Sequence, residues 1–267
     1  MRERSPARSS LAPAPRQVDL RSPWRWLALG WADLWRHPVP GLFHGFLLTA
    51  VGAALLWLAR DRFWLLAGAF SGFLIVAPIL ATGLYQVSRA LSAGRRAGLR
   101  EVVSLWRSLD ARLVRFGLLL GLAGTGWVLT SAGLITLWSP AAILKPMDFL
   151  RHVVLAPDLG LFEVWLLLGA LLAAPVFASS VVAIPMLVDT SVPVSMAVVA
   201  SWRAVANHPG PMALWAAVIA VLMGLSMLTA LLGLVVCIPW LAHASWHAYR
   251  DLVRDTTPGE AQTPPSA

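Results

Sequence analysis

Residues 211–249, PMALWAAVIAVLMGLSMLTALLGLVVCIPWLAHASWHAY, contain no Asp, Glu, Lys or Arg over 39 positions. As a single helix the stretch would be about 58 Å long at ~1.5 Å per residue. The hydrocarbon core of a bilayer is about 30 Å thick, so it predicts two crossings that turn between Met223 and Gly233. Four more uncharged runs stand at Pro40–Ala59, Phe63–Ser88, Phe116–Pro140 and Val164–Val188. Each meets the ~20 apolar residues that a spanning helix needs. The expected fold is therefore all-α, a polytopic membrane helix bundle with six transmembrane helices at about 40–59, 63–88, 116–140, 164–188, 211–228 and 231–249.

Composition supports that class. Of the 267 residues 58% are hydrophobic and only 13% charged, with a mean hydropathy of +0.71. A soluble domain carries about 25% charged residues to wet its surface. Fourteen tryptophans and nine phenylalanines argue against a disordered chain. The single cysteine, Cys237, excludes an intrachain disulfide and any all-cysteine metal centre.

The net charge is +8, and Lys145 is the one lysine among 21 bases. A pI near 11 in a soluble protein would point to nucleic acid. Counted along the six-span arrangement, however, seventeen bases fall on one side and four on the other. That asymmetry follows the bias of Lys and Arg toward cytoplasmic loops, and predicts both termini in the cytoplasm. No nucleic-acid partner is needed to account for it.

Residues 1–22 are rich in Pro, Ser and Arg, and 255–267 in Pro and Thr; both predict disordered tails around a membrane domain at 23–254. The N-terminal region lacks an apolar signal-peptide core, so the first span is expected to serve as an uncleaved anchor. Two segments have helical periodicity without spanning length. Leu99, Val102, Trp106, Leu109 and Leu113 recur three to four apart, with Arg100, Arg107 and Arg112 elsewhere on the wheel. Trp24, Leu27, Trp31, Leu34 and Trp35 form a similar series in 23–36. Both predict cytoplasmic interfacial helices lying at headgroup depth.

The chain also repeats itself. Trp31 precedes His37-Pro38-Val39-Pro40 as Trp202 precedes His208-Pro209-Gly210-Pro211, each just before a span. Pro78-Ile79-Leu80-Ala81 leads to Tyr85, Arg89 and Leu91, and Pro239-Trp240-Leu241-Ala242 leads at the same offsets to Trp246, Arg250 and Leu252. A parallel duplication is expected.

Ionisable groups within spans are costly and mark candidate sites. His243 and His247, at i and i+4 in the last span, could meet one metal ion, relay protons toward Tyr249 and Arg250, or hydrogen-bond between helices. His44 lies early in the first span, and His37 and His208 occupy the elbows. Asp189 heads Asp189-Thr190-Ser191-Val192-Pro193 and is expected to serve a turn or an N-cap. Pairs such as Gly41/Gly45, Gly68/Gly72 and Gly117/Gly121 predict close helix packing. Pro78, Pro175, Pro185 and Pro239 interrupt four helix ladders. Neither a Ser/His/Asp set nor paired carboxylates nor an HExxH pattern is present, so no catalytic residues are assigned and an enzyme is not expected.

Three segments carry a family likeness: Ile184-Pro185-Met186-Leu187-Val188-Asp189, Ser201-Trp202-Arg203-Ala204-Val205-Ala206-Asn207-His208-Pro209, and Gly233 to Arg250 with its terminal His-Ala-Ser-Trp-His-Ala-Tyr-Arg. They resemble the bacterial integral membrane family called domain of unknown function 2189, over about residues 24–254. The resemblance implies a multi-pass protein of the bacterial inner membrane without an assigned activity. Some relatives are labelled cytochrome c oxidase subunits, which would make His243 and His247 ligands of haem or copper. The expected role is a non-enzymatic scaffold or accessory subunit of a membrane complex, in contact with lipid and with a complex partner or another copy of itself. Cofactors are not expected. The alternatives are a small-solute or proton transporter and a haem- or copper-binding respiratory subunit.

Overall fold

The computed structural model describes residues 17–69, 81–95, 98–108, 110–139, 141–156 and 160–255, without the side chains of 106, 254 and 255. Among these residues every regular element is helical. The helices are α1 (Ser22–Arg36), α2 (Pro38–Ala59), α3 (Thr82–Ser92), α4 (Leu99–Ser108), α5 (Ala111–Trp138), α6 (Leu161–Ser180), α7 (Ala183–Asp189), α8 (Val194–Asn207), α9 (Pro209–Leu228) and α10 (Leu234–Asp255). Residues 63–69 are helical too, and a single turn at Pro146–Phe149 runs into a wider π turn at Leu150–Val154.

Four described stretches are long and apolar enough to cross a membrane: Pro38–Ala59, Ala111–Trp138, Leu161–Asp189 and Pro209–Leu228. They coincide with four of the six expected spans. The expected span 63–88 lies partly outside the described residues. The sixth, expected at 231–249, is α10. It is long enough, but the half beyond Leu241 carries His243, His247, Tyr249, Arg250 and Asp251 and is too polar for the four-span set. The turn before it falls at 229–233, within the expected window, with Ala230 and Leu231 at φ of 52° and 70°.

α10 is the axis of the bundle. α1 and α2 lie along it, and α3, α7 and α9 pack around the rest. Close approach requires small residues. A Cβ on Gly30 of α1 would come within 2.5 Å of the Ala244 nitrogen, and one on Gly45 of α2 would strike the Val235 carbonyl. Ala242, Ala244 and Ala248 present the matching small surface on α10 and are buried. The expected packing role thus holds for Gly45, while Gly121 on α5 has nothing within 4 Å of its would-be Cβ.

The two elbows share one geometry. His37 between α1 and α2 has φ −140° and ψ 72°, and His208 between α8 and α9 has φ −129° and ψ 54°. In each the histidine amide donates back to the preceding helix, His37 to the Asp33 carbonyl and His208 to that of Ala204. The following proline then opens the next helix, where its missing N–H is not needed.

Three expectations are corrected. Residues 19–22, expected to belong to a disordered tail, hold a local structure, in which Ser22 Oγ accepts from the Asp19 amide at 3.0 Å and the Asp19 carboxylate accepts from the Arg21 amide. The periodic run Leu99–Leu113 is two helices. Asp110 caps α5 by accepting from the Arg112 amide at 2.8 Å, so Leu113 belongs to α5, and Arg112 turns inward rather than toward phosphate. α1 is also more than an interfacial helix. Trp26, Leu27 and Leu34 are buried beside α10, while Trp24, Leu29, Trp31 and Trp35 remain exposed.

Candidate functional site

The expected site residues all lie on the polar half of α10 or against it. A helical pair at i and i+4 points about 40° apart and one turn along the axis. Because α10 is surrounded, that offset sends its side chains to different neighbours. His243 Nδ1 stands 2.6 Å from Ser88 Oγ of α3, the donor depending on the imidazole tautomer. His247 Nε2 donates to Asp33 of α1 at 2.8 Å. Tyr249 Oη donates to Asp189 Oδ2 of α7 at 2.9 Å, and Arg250 approaches the same oxygen at 3.9 Å. His44 of α2 is 1% exposed, with Nδ1 at 2.9 Å from the Pro40 carbonyl.

Of the three uses open to His243 and His247, the geometry shows hydrogen bonds to separate helices. Among the described residues no three His, Cys, Asp or Glu side chains gather so as to hold a metal ion. His243 itself is fully buried, and its Nε2 has no hydrogen-bond partner among the described residues. That atom would lie 3.8 Å from a Cβ on Gly41.

Further residues complete the arrangement without having been marked as candidates. Asp251 Oδ2 accepts from Arg25 Nη2 at 2.7 Å and from Trp26 Nε1 at 2.8 Å, tying the end of α10 to α1. Asp189 is a hub rather than a simple turn or N-cap. Arg89 Nε of α3 meets its Oδ1 at 3.1 Å while Arg89 Nη1 donates to the Val188 carbonyl. Arg89 and Arg250, which occupy matching offsets in the two repeats, thus converge on one carboxylate. Spacing alone marked that correspondence; the shared acid lies far away in the chain.

Arg112 fastens α5 to the end of α7. Its Nη1 donates to the carbonyls of Thr190 at 2.8 Å and Val192 at 3.0 Å, and its Nη2 to that of Leu187 at 3.2 Å. Carbonyls at a helix C-terminus have no helical partners and carry partial negative charge, so a guanidinium fork suits them. The same fork grips both oxygens of Asp110 at 3.1 and 2.6 Å, and this bonding holds the Asp110 carboxyl below its ordinary pKa of 3.8. Nearby, the break between α6 and α7 leaves the Val182 amide outside the ladder, and buried Ser201 of α8 accepts from it at 3.1 Å. Pro185 contributes to the break because it has no N–H to offer the preceding turn.

These ties run along α1 from Arg25 to Asp33 and gather the later turns of α3, α7 and α10 and the start of α5. The other end of the bundle is fastened by rings instead: Phe63 stacks on Phe149 with centroids 5.0 Å apart, and Trp165 Nε1 donates to Ser131 Oγ at 2.6 Å.

Residues 65–189 match the family model described as predicted integral membrane protein (DUF2189), a little under half of the chain. The matched stretch includes Ile184–Asp189, and stops short of Ser201–Pro209 and of α10. No curated protein and no solved structure matches the chain.

Proposed function

We propose that this integral membrane protein is a non-enzymatic scaffold or accessory subunit of a membrane complex, crossing a bacterial inner membrane six times with both termini in the cytoplasm. The observation that carries the reading is the use to which α10 puts its polar side chains. His243, Trp246, His247, Tyr249 and Asp251 are each joined to a side chain of α1, α3 or α7. Side chains committed to bonds between helices stabilise one arrangement of the bundle. Burying them unpaired would be costly, so they favour a fixed body. In this reading the arginine-rich end faces the cytoplasm. The exposed apolar side chains of the spans meet lipid, a complex partner or a second copy.

Affinity purification in mild detergent followed by mass spectrometry tests it. The expected result is a reproducible membrane-protein partner, or a stable oligomer on size exclusion; recovery of this chain alone as a monomer overturns it. The unbonded Nε2 of buried His243 supports a second reading, a proton pathway entering at Asp33 and His247 and continuing to His243. Proton uptake by proteoliposomes, abolished by His243→Ala, is its expected signature, and tight vesicles at wild-type density would exclude it.

A further inference from the structure

The charges of α4 are distributed differently from those around α10. Its inner face is packed: Val102 is buried with Val87 and Ala90 of α3, and Leu105 rests against the main core. Its outer face exposes Arg100, Val103, Ser104 and Arg107. The single acid of α4, Glu101, accepts from the Gly98 amide at 2.7 Å at the start of the helix. Among the described residues neither Arg100 nor Arg107 closes a salt bridge, whereas Arg89 and Arg112 bind Asp189 and Asp110.

The depth of α4 follows from α5, whose first residue, Ala111, comes shortly after the end of α4. α5 has 28 residues, about 42 Å at ~1.5 Å each, against a hydrocarbon core of about 30 Å. The excess length, with Arg112 and Arg115 in its first turns, places that end of α5 among the headgroups, and α4 beside it. Along the outer face of α4 runs an open groove of about 630 Å³, lined by Leu99, Arg100, Val103, Ser104, Arg107 and Ser108. The two guanidiniums lie two turns apart, about 10 Å along the axis, with the Ser104 hydroxyl between them and apolar Leu99 and Val103 beside them.

We propose that this outer face of α4 binds the headgroups of anionic phospholipids, Arg100 and Arg107 engaging phosphate while Leu99 and Val103 meet the glycerol and upper acyl region. The net positive charge of this face, whose one acid is held at the Gly98 amide, selects an anion, and the depth of the helix selects one that belongs to the bilayer. The proposal rests on the membrane reading of the chain.

The test uses the full-length protein, delipidated in neutral detergent and titrated with phosphatidylglycerol, phosphatidylcholine or inorganic phosphate, with bound adducts counted by native mass spectrometry. Phosphatidylglycerol is expected to bind in preference to phosphatidylcholine. At about fivefold per basic side chain near an anionic surface, Arg100→Gln with Arg107→Gln should weaken it about thirtyfold. The charge-matched pair Arg36→Gln with Arg203→Gln should leave it unchanged. Equal binding of the two lipids, equal loss in the control pair, or occupancy by inorganic phosphate alone would overturn the proposal. So would an acidic protein partner released by the Arg100/Arg107 substitutions while lipid binding is unaffected. A chain that stays in solution without detergent would instead bring down the membrane reading, which separates the two failures.

Discussion

Gly45→Ala sets two effects of known sign against each other. In an open helix, alanine in place of glycine stabilises by about 1 kcal/mol. In α2 the added methyl carbon would stand 2.6 Å from the Val235 carbonyl carbon and 2.7 Å from its Cα, and would strike the carbonyl oxygen. These are backbone atoms of α10, so no rotamer change clears them. Carbon pairs settle at about 3.5 Å or more, so α2 must retreat by about 0.9 Å. A gap of that size forfeits a quarter to a half of the attraction of each atom pair along the seam. Overpacking typically costs about 1–3 kcal/mol, and a backbone obstacle belongs at the upper end. Less the gain in helix propensity, the net loss is about 2 kcal/mol. For a chain of this size that lowers the midpoint by about 4–8 °C. The assay is thermal unfolding in detergent followed by tryptophan fluorescence, with Gly121→Ala as the control, because that position has open space around it. The control should melt at or above the wild type. If Gly45→Ala melts with it, the close seam between α2 and α10 is wrong.

Other predictions concern the polar ties. Asp189→Asn should destabilise by about 1.5–3 kcal/mol, the range for hydrogen bonds to a charged group, and Tyr249→Phe by less, since Arg89 remains on the carboxylate. A double-mutant cycle between positions 189 and 249 should show positive coupling, and strict additivity would contradict the contact. His247→Ala leaves Asp33, whose side chain is 8% exposed, with only Arg36 at 3.8 Å; a loss of about 3 kcal/mol is expected, largely restored in His247→Ala with Asp33→Ala. Asp110 predicts acid sensitivity: because its folded pKa is depressed, its contribution is present above the ordinary value of 3.8 and is lost as pH falls through the lower folded value. Melting temperature measured downward from pH 6 should fall less steeply in Asp110→Ala than in the wild type, and parallel curves would refute the Arg112 fork as its source.

The spans were legible because a bilayer imposes a length on apolar runs, and four of them recur at almost the expected residues. Even the turn at 229–233 followed from arithmetic on an uncharged run too long for one crossing. What pattern could not supply was partnership. The boundary between α4 and α5 was missed because Leu99, Val102 and Leu113 keep helical phase across it, so the apolar period has no gap to mark the break. The signal is present in Asp110 and Arg112, a capping acid followed by its own base, which the apolar period alone passes over. His243 and His247 share a face on a helical wheel, yet a wheel shows no neighbours. On a helix enclosed by α1, α2 and α3, an offset of about 40° and one turn is enough to change the partner.

The arginines show why counting succeeds for class and fails for site. Arg25, Arg89, Arg112 and Arg250 increase the charge asymmetry along the chain as much as Arg100 and Arg107 do. Yet the first four approach Asp251, Asp189, Asp110 and again Asp189, four bases on three acids, so most of their charge is offset at close range. The acids that neutralise them, at 110, 189 and 251, stand on the same side of the bundle as the bases. A headgroup therefore meets a surface whose charge is concentrated in the few guanidiniums that no carboxylate has claimed. Those on α4 stand two turns apart on one exposed face. For Arg25, Arg89 and Arg250 the partner acid lies far off in the chain, 226 residues away for Arg25, whereas Arg112 finds its acid two residues before it. Tertiary structure, more than local pattern, carries that distinction.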